Sequence, residues 1–390
     1  MNNSQNTPKT EELKEYPHIA EESSAAESSA AENGSGKSSA AENGPAVDVI
    51  IPVYGPDERF FTLLDRLAKQ ALRPHRIILM NTEEALWDAA NGTEKLRESG
   101  VSGLCEIHHV TKAEYDHGGT RNLGVSFSSA PCFVLMTQDA VPLDTHLLEK
   151  LLEGMKGQVK MCYARQLPAK DADLIERYSR AFNYGPDSRI KTVLDLPELG
   201  IKTWFASNVC AAYERAVFDS LGGFADHTIF NEDMIYCAGL LKAGYAVRYC
   251  ADARVVHSHH YSGIQQLRRN FDLAVSQADH PEVFGGIRSE SEGVRMVRNT
   301  AQWLRRQGRA DMIPELVWVS GCKYLGYRLG KAYRKLPASL VKRISTNRSF
   351  WERAEQTDSG NRTAARPKTD SGIGTAEQPE KGTAGDKQDE

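Results

Sequence analysis

Apolar positions along the chain fall into two rhythms, and the places where one gives way to the other predict the elements. "VDVIIPVYG" (47 to 55) is short and almost continuously apolar, the pattern of a strand buried on both faces. "HRIILMN" (75 to 81), "CEIHHVT" (105 to 111), "CFVLMTQDA" (132 to 140) and "KMCYARQLP" (160 to 168) repeat it. Phe60 to Ala71 reads as an amphipathic helix between the first two, and Gly119 to Ser129 as a helix before the fourth. After a less regular region to about Lys202, "FASNVCAAYERAVFDSLGGF" (205 to 224) predicts a strand, a short helix and a Gly-Gly turn. "YAVRYCADARVVHSHH" (245 to 260) is extended and ends in a histidine cluster. Strands alternating with helices at this spacing predict an α/β fold with a mostly parallel sheet covered by helices. Ligands bind at the carboxyl ends of the strands in such sheets, which singles out Tyr54, Asn81, Glu83, Gln138 and Asp139. No period of roughly 20 to 50 residues repeats inside this part, which argues against solenoids and propellers.

In "TIFNEDMIYCAGLLKAGYAVRY" (228 to 249), Asn231, Glu232 and Asp233 interrupt an apolar run. Met234, Ala238 and Leu241 share one helical face, and Gly244 stands where a helix would stop. Asn231 is therefore expected as the helix cap, with the two acids complementing the helix dipole. The same carboxylates suit proton abstraction, and the local pattern leaves both readings open.

Composition narrows the folded part. Residues 1–46 are rich in Ser, Ala, Glu, Asn and Gly and carry "SSAAE" at 23, 28 and 38, and 354–390 are equally polar. Neither end carries enough apolar surface to offset its chain entropy, so both are expected to be disordered tails. What remains, 47–353, is enough for one large domain with a helical appendage. A net charge of −4 gives no reason to expect nucleic acid. Yet 323–348 holds eight Lys or Arg and no Asp or Glu, interleaved with Tyr and Leu, which suits an anionic membrane surface or an acidic partner. Seven cysteines without a C-x-x-C pair indicate neither a disulfide framework nor a zinc ribbon, and fit a reducing compartment. No basic-then-apolar leader and no membrane-length apolar run are present, so a soluble or peripheral protein is expected.

Taken in order, "VIIPVYG", "GGTRNLG", a strand ending in "QDA", "LGGF", "NED" and "AGYAVRYCADARVVH" resemble the inverting nucleotide-sugar glycosyltransferases of family 2, with the GT-A, Rossmann-like fold. "DHGGTRNLG", "SNVCAAY", "IFNEDMIY" and "QQLRRNFDLAVSQ" resemble its rhamnosyltransferase-like branch. The resemblance covers 47–285, leaving 286–353 as a helical, basic C-terminal extension. It implies transfer of a sugar, from dTDP-rhamnose or a similar donor, to a cell-surface or exopolysaccharide acceptor, and the basic, Tyr-rich C-terminal region would keep such an enzyme at the inner, cytoplasmic face of the membrane, where lipid-linked acceptors are found. It also implies residue roles. Pro52 and Tyr54 would flank the nucleobase, Asn81 or Glu83 would reach its polar edge, and Arg121 would lie near the nucleotide, with Gln138 lining the same edge. Asp116 and His117 would meet the donor sugar. A divalent cation, Mg²⁺ or Mn²⁺, would bind Asp139, where the family's Asp-x-Asp reads "QDA", with His257 and His259 adding nitrogen ligands. Asp233, beside Glu232, would be the general base, with Ile229 and Phe230 excluding water. Gln265 and Arg268 resemble the Gln-x-x-Arg part of the family's motif at the donor site, and Arg268 or Arg269 would clamp the diphosphate, Arg269 standing where processive relatives have Trp.

Two other readings share parts of this pattern. A noncatalytic nucleotide-sugar-binding scaffold would keep the fold, and the reduced "QDA" leans that way, against the intact "NED" and "HSHH". A nucleotidyltransferase would need a glycine and lysine loop after the first strand, and "PVYGPDERF" has no Lys.

Overall fold

The computed structural model describes residues 46–287 and 290–353. The expected disordered tails, 1–45 with their "SSAAE" repeats and 354–390, lie outside the described residues. Nine strands are present among the described residues: β1 (Val47–Tyr54), β2 (Arg76–Thr82), β3 (Cys105–Val110), β4 (Cys132–Met136), β5 (Val141–Pro142), β6 (Val159–Leu167), β7 (Arg189–Lys191), β8 (Cys210–Glu214) and β9 (Ala246–Val256). They form one sheet in the order β3-β2-β1-β4-β8-β6-β9-β5, with β7 also on β9. Pairing is parallel through β3-β2-β1-β4 and again between β6 and β9. β8 runs antiparallel between β4 and β6. Along β1, Val49, Ile51 and Val53 pack on one side with Phe60, Leu63, Leu64 and Leu67 of the Glu58–Ala68 helix. Ile50 faces the other side, with Met80, Leu135 and the Glu232–Lys242 helix. The α/β sheet covered on both faces is thus what the apolar runs predict.

Helix boundaries follow the caps. The first helix starts at Glu58 rather than Phe60 because the Asp57 side chain accepts from Phe60 N. Asp116 accepts from Gly118 N and Gly119 N at 3.1 and 2.8 Å, so the second predicted helix runs His117–Ser126. A Cβ at Gly124 would strike Ile50 and Met80, which is why this helix lies close on the sheet. The region expected to be irregular before Lys202 contains a further helix, Leu174–Asn183, capped by Asp173 and anchored through Tyr178 and Phe182 on Trp303, Leu304 and Leu316.

Beyond β9, the Gly263–Asp279 helix is crossed by the Ile313–Lys331 helix with backbones touching. A Cβ on Gly326 would collide with the Leu267 carbonyl, and one on Gly330 with that of Phe271. Phe271 and Val275 also pack with Val341 of the short Ala338–Ile344 helix and with Ile229. Among the described residues, no helix is long and apolar enough to cross a membrane.

Gly326→Ala is expected to lower stability by about 1–3 kcal/mol, since the atom it meets is backbone. Gly321→Ala on the same helix, with open space around it, should be neutral or stabilising by up to about 1 kcal/mol. Urea midpoints of the two variants check this, and equal midpoints would contradict the close helix crossing.

Candidate active site

Two groups of side chains face each other at the carboxyl end of the sheet. The first begins where β4 ends and β9 ends. Asp139 Oδ1 lies 3.5 Å from His257 Nε2, its Oδ2 lies 3.3 Å from His259 Nε2, and the two Nε2 atoms are 2.9 Å apart. Cis ligands of an octahedral ion with bonds near 2.1 Å are about 3 Å apart, so this oxygen and these nitrogens fit one divalent cation. The tautomer follows from Arg180, whose Nη1 donates to Gln166 Oε1. Arginine only donates, so that Gln166 atom is the oxygen, and the amide nitrogen faces Tyr184 Oη and Ser207 Oγ at 2.6 and 2.9 Å. His257 Nδ1, 3.0 Å from the same oxygen, must therefore carry the proton, leaving Nε2 as a lone pair turned toward Asp139. Burial, reinforced by Arg180 and His259, holds His257 well below the usual imidazole range. Burial lowers His259 as well, against the pull of Asp139. Both rings are neutral near pH 7, as metal ligands must be.

The second group heads the Glu232–Lys242 helix. Asn231 sits there in the left-handed region, φ 64°, but it does not cap as expected. Its Nδ2 donates instead to the Leu273 carbonyl, tying this turn to the Gly263–Asp279 helix. Asn208, in the loop before β8, clamps both acids. Its side chain donates to Glu232 Oε1 and its backbone N–H to Asp233 Oδ2, each at 3.1 Å. Tyr213 fixes the Asn208 amide in turn, by donating to its oxygen at 2.5 Å. Glu232 is 3.4 Å from Arg121, both side chains only 8% exposed. Burial would raise the Glu232 pKa, but Arg121, His117 and the hydrogen bond from Asn208 together outweigh it and the group lies below the usual range. Asp233 has no such partner, and burial followed by the charge on Glu232 pushes it up to about 7. Two adjacent carboxylates are thereby separated into a fixed anion and a titrating group.

Residues 48–222 match the family described as glycosyl transferase family 2. The chain is 34% identical over 318 residues, 80% of its length and 98% of the other's, to the O-antigen chain rhamnosyltransferase RfbN of Salmonella typhimurium. It is 35% identical over 322 residues, 81% of its length and 98% of the other's, to the O-antigen chain rhamnosyltransferase WbaN of Salmonella anatum. The chain belongs to glycosyl transferase family 2. A solved structure, the mannosyltransferase PcManGT from Pyrobaculum calidifontis in complex with GDP-Man and Mn²⁺, is 14% identical with a TM-score of 0.47, covering 81% of this chain and 88% of that one.

As a family 2 glycosyltransferase, the chain carries its other sequence-indicated residues in varied settings. Tyr54 is half exposed at the β1 end, with Lys112 Nζ 5.8 Å above its ring. Pro52 is partly buried within β1. Gln138 is spent on β1 itself, accepting from Tyr54 N at 2.6 Å and donating to Tyr54 O at 3.1 Å. Asn81 is buried, its Nδ2 facing His109 Nδ1 at 2.9 Å, while its Oδ1 has no hydrogen-bond partner. Glu83 accepts from Lys112 N. Asp116 serves as a helix cap, and Arg121 is buried on Glu232 and the His117 carbonyl. His117 lies against Phe230, and burial lowers its pKa. Gln265 is a capping-box residue, accepting from Ser262 N at 2.8 Å, and Arg268 is exposed on another face. Of the two arginines offered for the clamp, Arg269 faces the cleft, stacked over Phe230 at 4.8 Å and Tyr261 at 5.5 Å. Tyr261 lies on His259, so this stack spans from the carboxylate pair to the histidines. Ile229 is core, packed with Phe271 and Val275, so of the two expected water-excluding residues Phe230 alone lines the cleft.

Sequence reasoning missed Gln166, Arg180, Asn208 and Lys323. Arg180 and Arg269 both act on Lys323, whose pKa falls through burial and these two cations. The basic run thus begins with a lysine turned inward, toward the charges of Arg180 and Arg269. "LIERYSRAFN" has helical spacing that signals Arg180's helix, whereas nothing local signals Lys323.

The raised Asp233 pKa predicts the sign of a stability change. Unfolded, the carboxyl titrates near 3.8, and folded near 7, so between these values the folded chain holds the extra proton and stability falls as pH rises. Asp233→Asn should lack that slope, and should gain stability relative to wild type at pH 8 compared with pH 5. Urea unfolding at the two pH values measures it.

Proposed function

We propose that this glycosyltransferase moves rhamnose from a nucleotide-diphosphate donor, dTDP-rhamnose or a close analogue, to a saccharide acceptor of the O-antigen or exopolysaccharide kind, with inversion. The names of the two curated relatives support the sugar and the pathway class. The observation that carries the chemistry is the split between Glu232 and Asp233. A single displacement needs a base on the side of the acceptor hydroxyl, and a carboxylate titrating near 7 accepts a proton readily while a substantial fraction is ionised at neutral pH.

Each task has residues suited to it. Tyr54, Glu83 and the Asn81 amide oxygen stand at the carboxyl ends of β1 and β2, where the nucleobase would lie. A divalent ion held by Asp139, His257 and His259 would supply a Lewis acid for the charge developing on the diphosphate. Arg269 and Arg180 add positive charge beside it, held by stacking and by Gln166. Asp233 takes the acceptor's proton, while Asn208 and the helix N-terminus fix its direction. Glu232, paired with Arg121, holds the turn. On this reading 47–285 is the transferase unit and 286–353 packs against it, at the cytoplasmic face of a membrane.

The test is turnover with dTDP-rhamnose and other nucleotide sugars, with and without Mn²⁺ or Mg²⁺. Wild-type kcat should rise with pH through about 7, the value at which Asp233 loses its proton. Asp233→Asn should lower kcat by about 10²- to 10⁴-fold while donor affinity holds. Asp139→Asn should instead weaken Mn²⁺ binding, read by calorimetry. An active Asp233→Asn enzyme would sink the base assignment, and absence of any donor binding would restore the scaffold reading.

A further inference from the structure

The Ile313–Lys331 helix is apolar on the wrong side for a surface helix. Its buried face is made by Leu316, Cys322, Gly326 and Gly330. The opposite face, turned to solvent, carries Val317 at 60% exposure, Trp318 at 61%, Tyr324 at 53% and Leu325 at 51%. At 100° per residue these four fall within one arc, together with Arg328 and Lys331 at its C-terminal end. Ile264, 52% exposed, extends the patch across the helix crossing, because Trp318 lies directly over Gly263. Scattered exposed apolar residues are ordinary, but five large ones on two touching helices are not.

We infer that this outward face of Ile313–Lys331, with Ile264, is a docking surface for an anionic lipid bilayer. Charge selects the occupant. From Lys323 to Arg348 there is no acidic residue, and Arg328 and Lys331 stand in the same arc as the apolar face, while Arg334 further on is paired with Asp279. An apolar strip with Trp, rimmed by cations, is the composition that settles into the headgroup boundary of a negatively charged membrane. The helix lies on the surface rather than across it, since its 19 residues are not apolar enough to span. Ile264 stands three residues after Tyr261, which stacks on His259, so a bilayer on this face brings the cleft beside the lipid surface. The inference stands apart from the sugar-transfer reading, because vesicle binding needs neither donor nor metal.

The experiment is co-sedimentation of the full chain with vesicles of phosphatidylglycerol and phosphatidylcholine, and of phosphatidylcholine alone. Wild type should pellet with the anionic vesicles and be released by salt. Leu325→Ser alone should reduce affinity several-fold, and Trp318→Ser with Leu325→Ser about tenfold or more. Arg328→Gln and Lys331→Gln should each cost about fivefold. All these side chains are exposed, and thermal unfolding identifies any variant that has lost its fold. Trp318→Phe should keep binding but lose the blue shift of tryptophan emission on vesicle addition. Wild-type binding to neither vesicle, or undiminished binding by the Trp318 and Leu325 variants, overturns the proposal. A wild-type dimer in sedimentation velocity that Leu325→Ser dissolves, without vesicle binding, also overturns it and gives the face to a second copy.

Discussion

A buried ion pair sets the terms for the rest of the cleft. Glu232 and Arg121 are both removed from water, and a lone charge at either place would be costly. Held together, they pin the His117–Ser126 helix to the head of the Glu232–Lys242 helix, and they leave a fixed negative charge next to Asp233. That charge, added to burial, is what moves Asp233 into the neutral range. The pair therefore positions two elements and tunes a neighbour through one interaction.

The histidine side of the cleft is arranged by a different device, an amide with no charge. Gln166 accepts from Arg180 and from His257 through one oxygen, and this fixes which imidazole nitrogen is free. Glu176 accepts from the His259 backbone N–H at 3.2 Å and stands 3.8 Å from Arg180, so the same helix braces both histidines. Outer-shell partners of this kind orient ligands and hold their tautomer. Gln166 comes from β6 itself, whereas Glu176 and Arg180 come from the stretch between β6 and β7, whose sequence looked least regular.

The C-terminal helices complete the arrangement from outside residues 48–222, the span matched to the family. Glycines at 263, 326 and 330 let two helix backbones touch, and that approach turns Lys323 inward while Trp318 and Leu325 face out. One helix thus presents one face inward and another to whatever covers the protein, and both depend on small residues at the crossing.

The sequence by itself determined the sheet, because continuous apolar runs at strand length have few other ways to bury both faces. It also determined which acids and imidazoles stand at strand and helix ends, since Asp139, Asp233, His257 and His259 directly follow or head periodic segments. It did not specify the partner where a polar residue had two outlets. Asn231, Gln138 and Gln265 read as a cap and two ligand-facing groups. Their hydrogen bonds go instead to the Leu273 carbonyl, the Tyr54 backbone and the Ser262 N–H. A side chain's choice among nearby backbone partners depends on what the fold brings within 3 Å, which local pattern does not encode. Only the tertiary structure decided that Arg121 pairs with Glu232, 111 positions away, and that Lys323 joins Arg180 and Arg269. Periodicity reports which face of an element is buried, whereas the meeting of charges from distant elements is settled by how those faces pack.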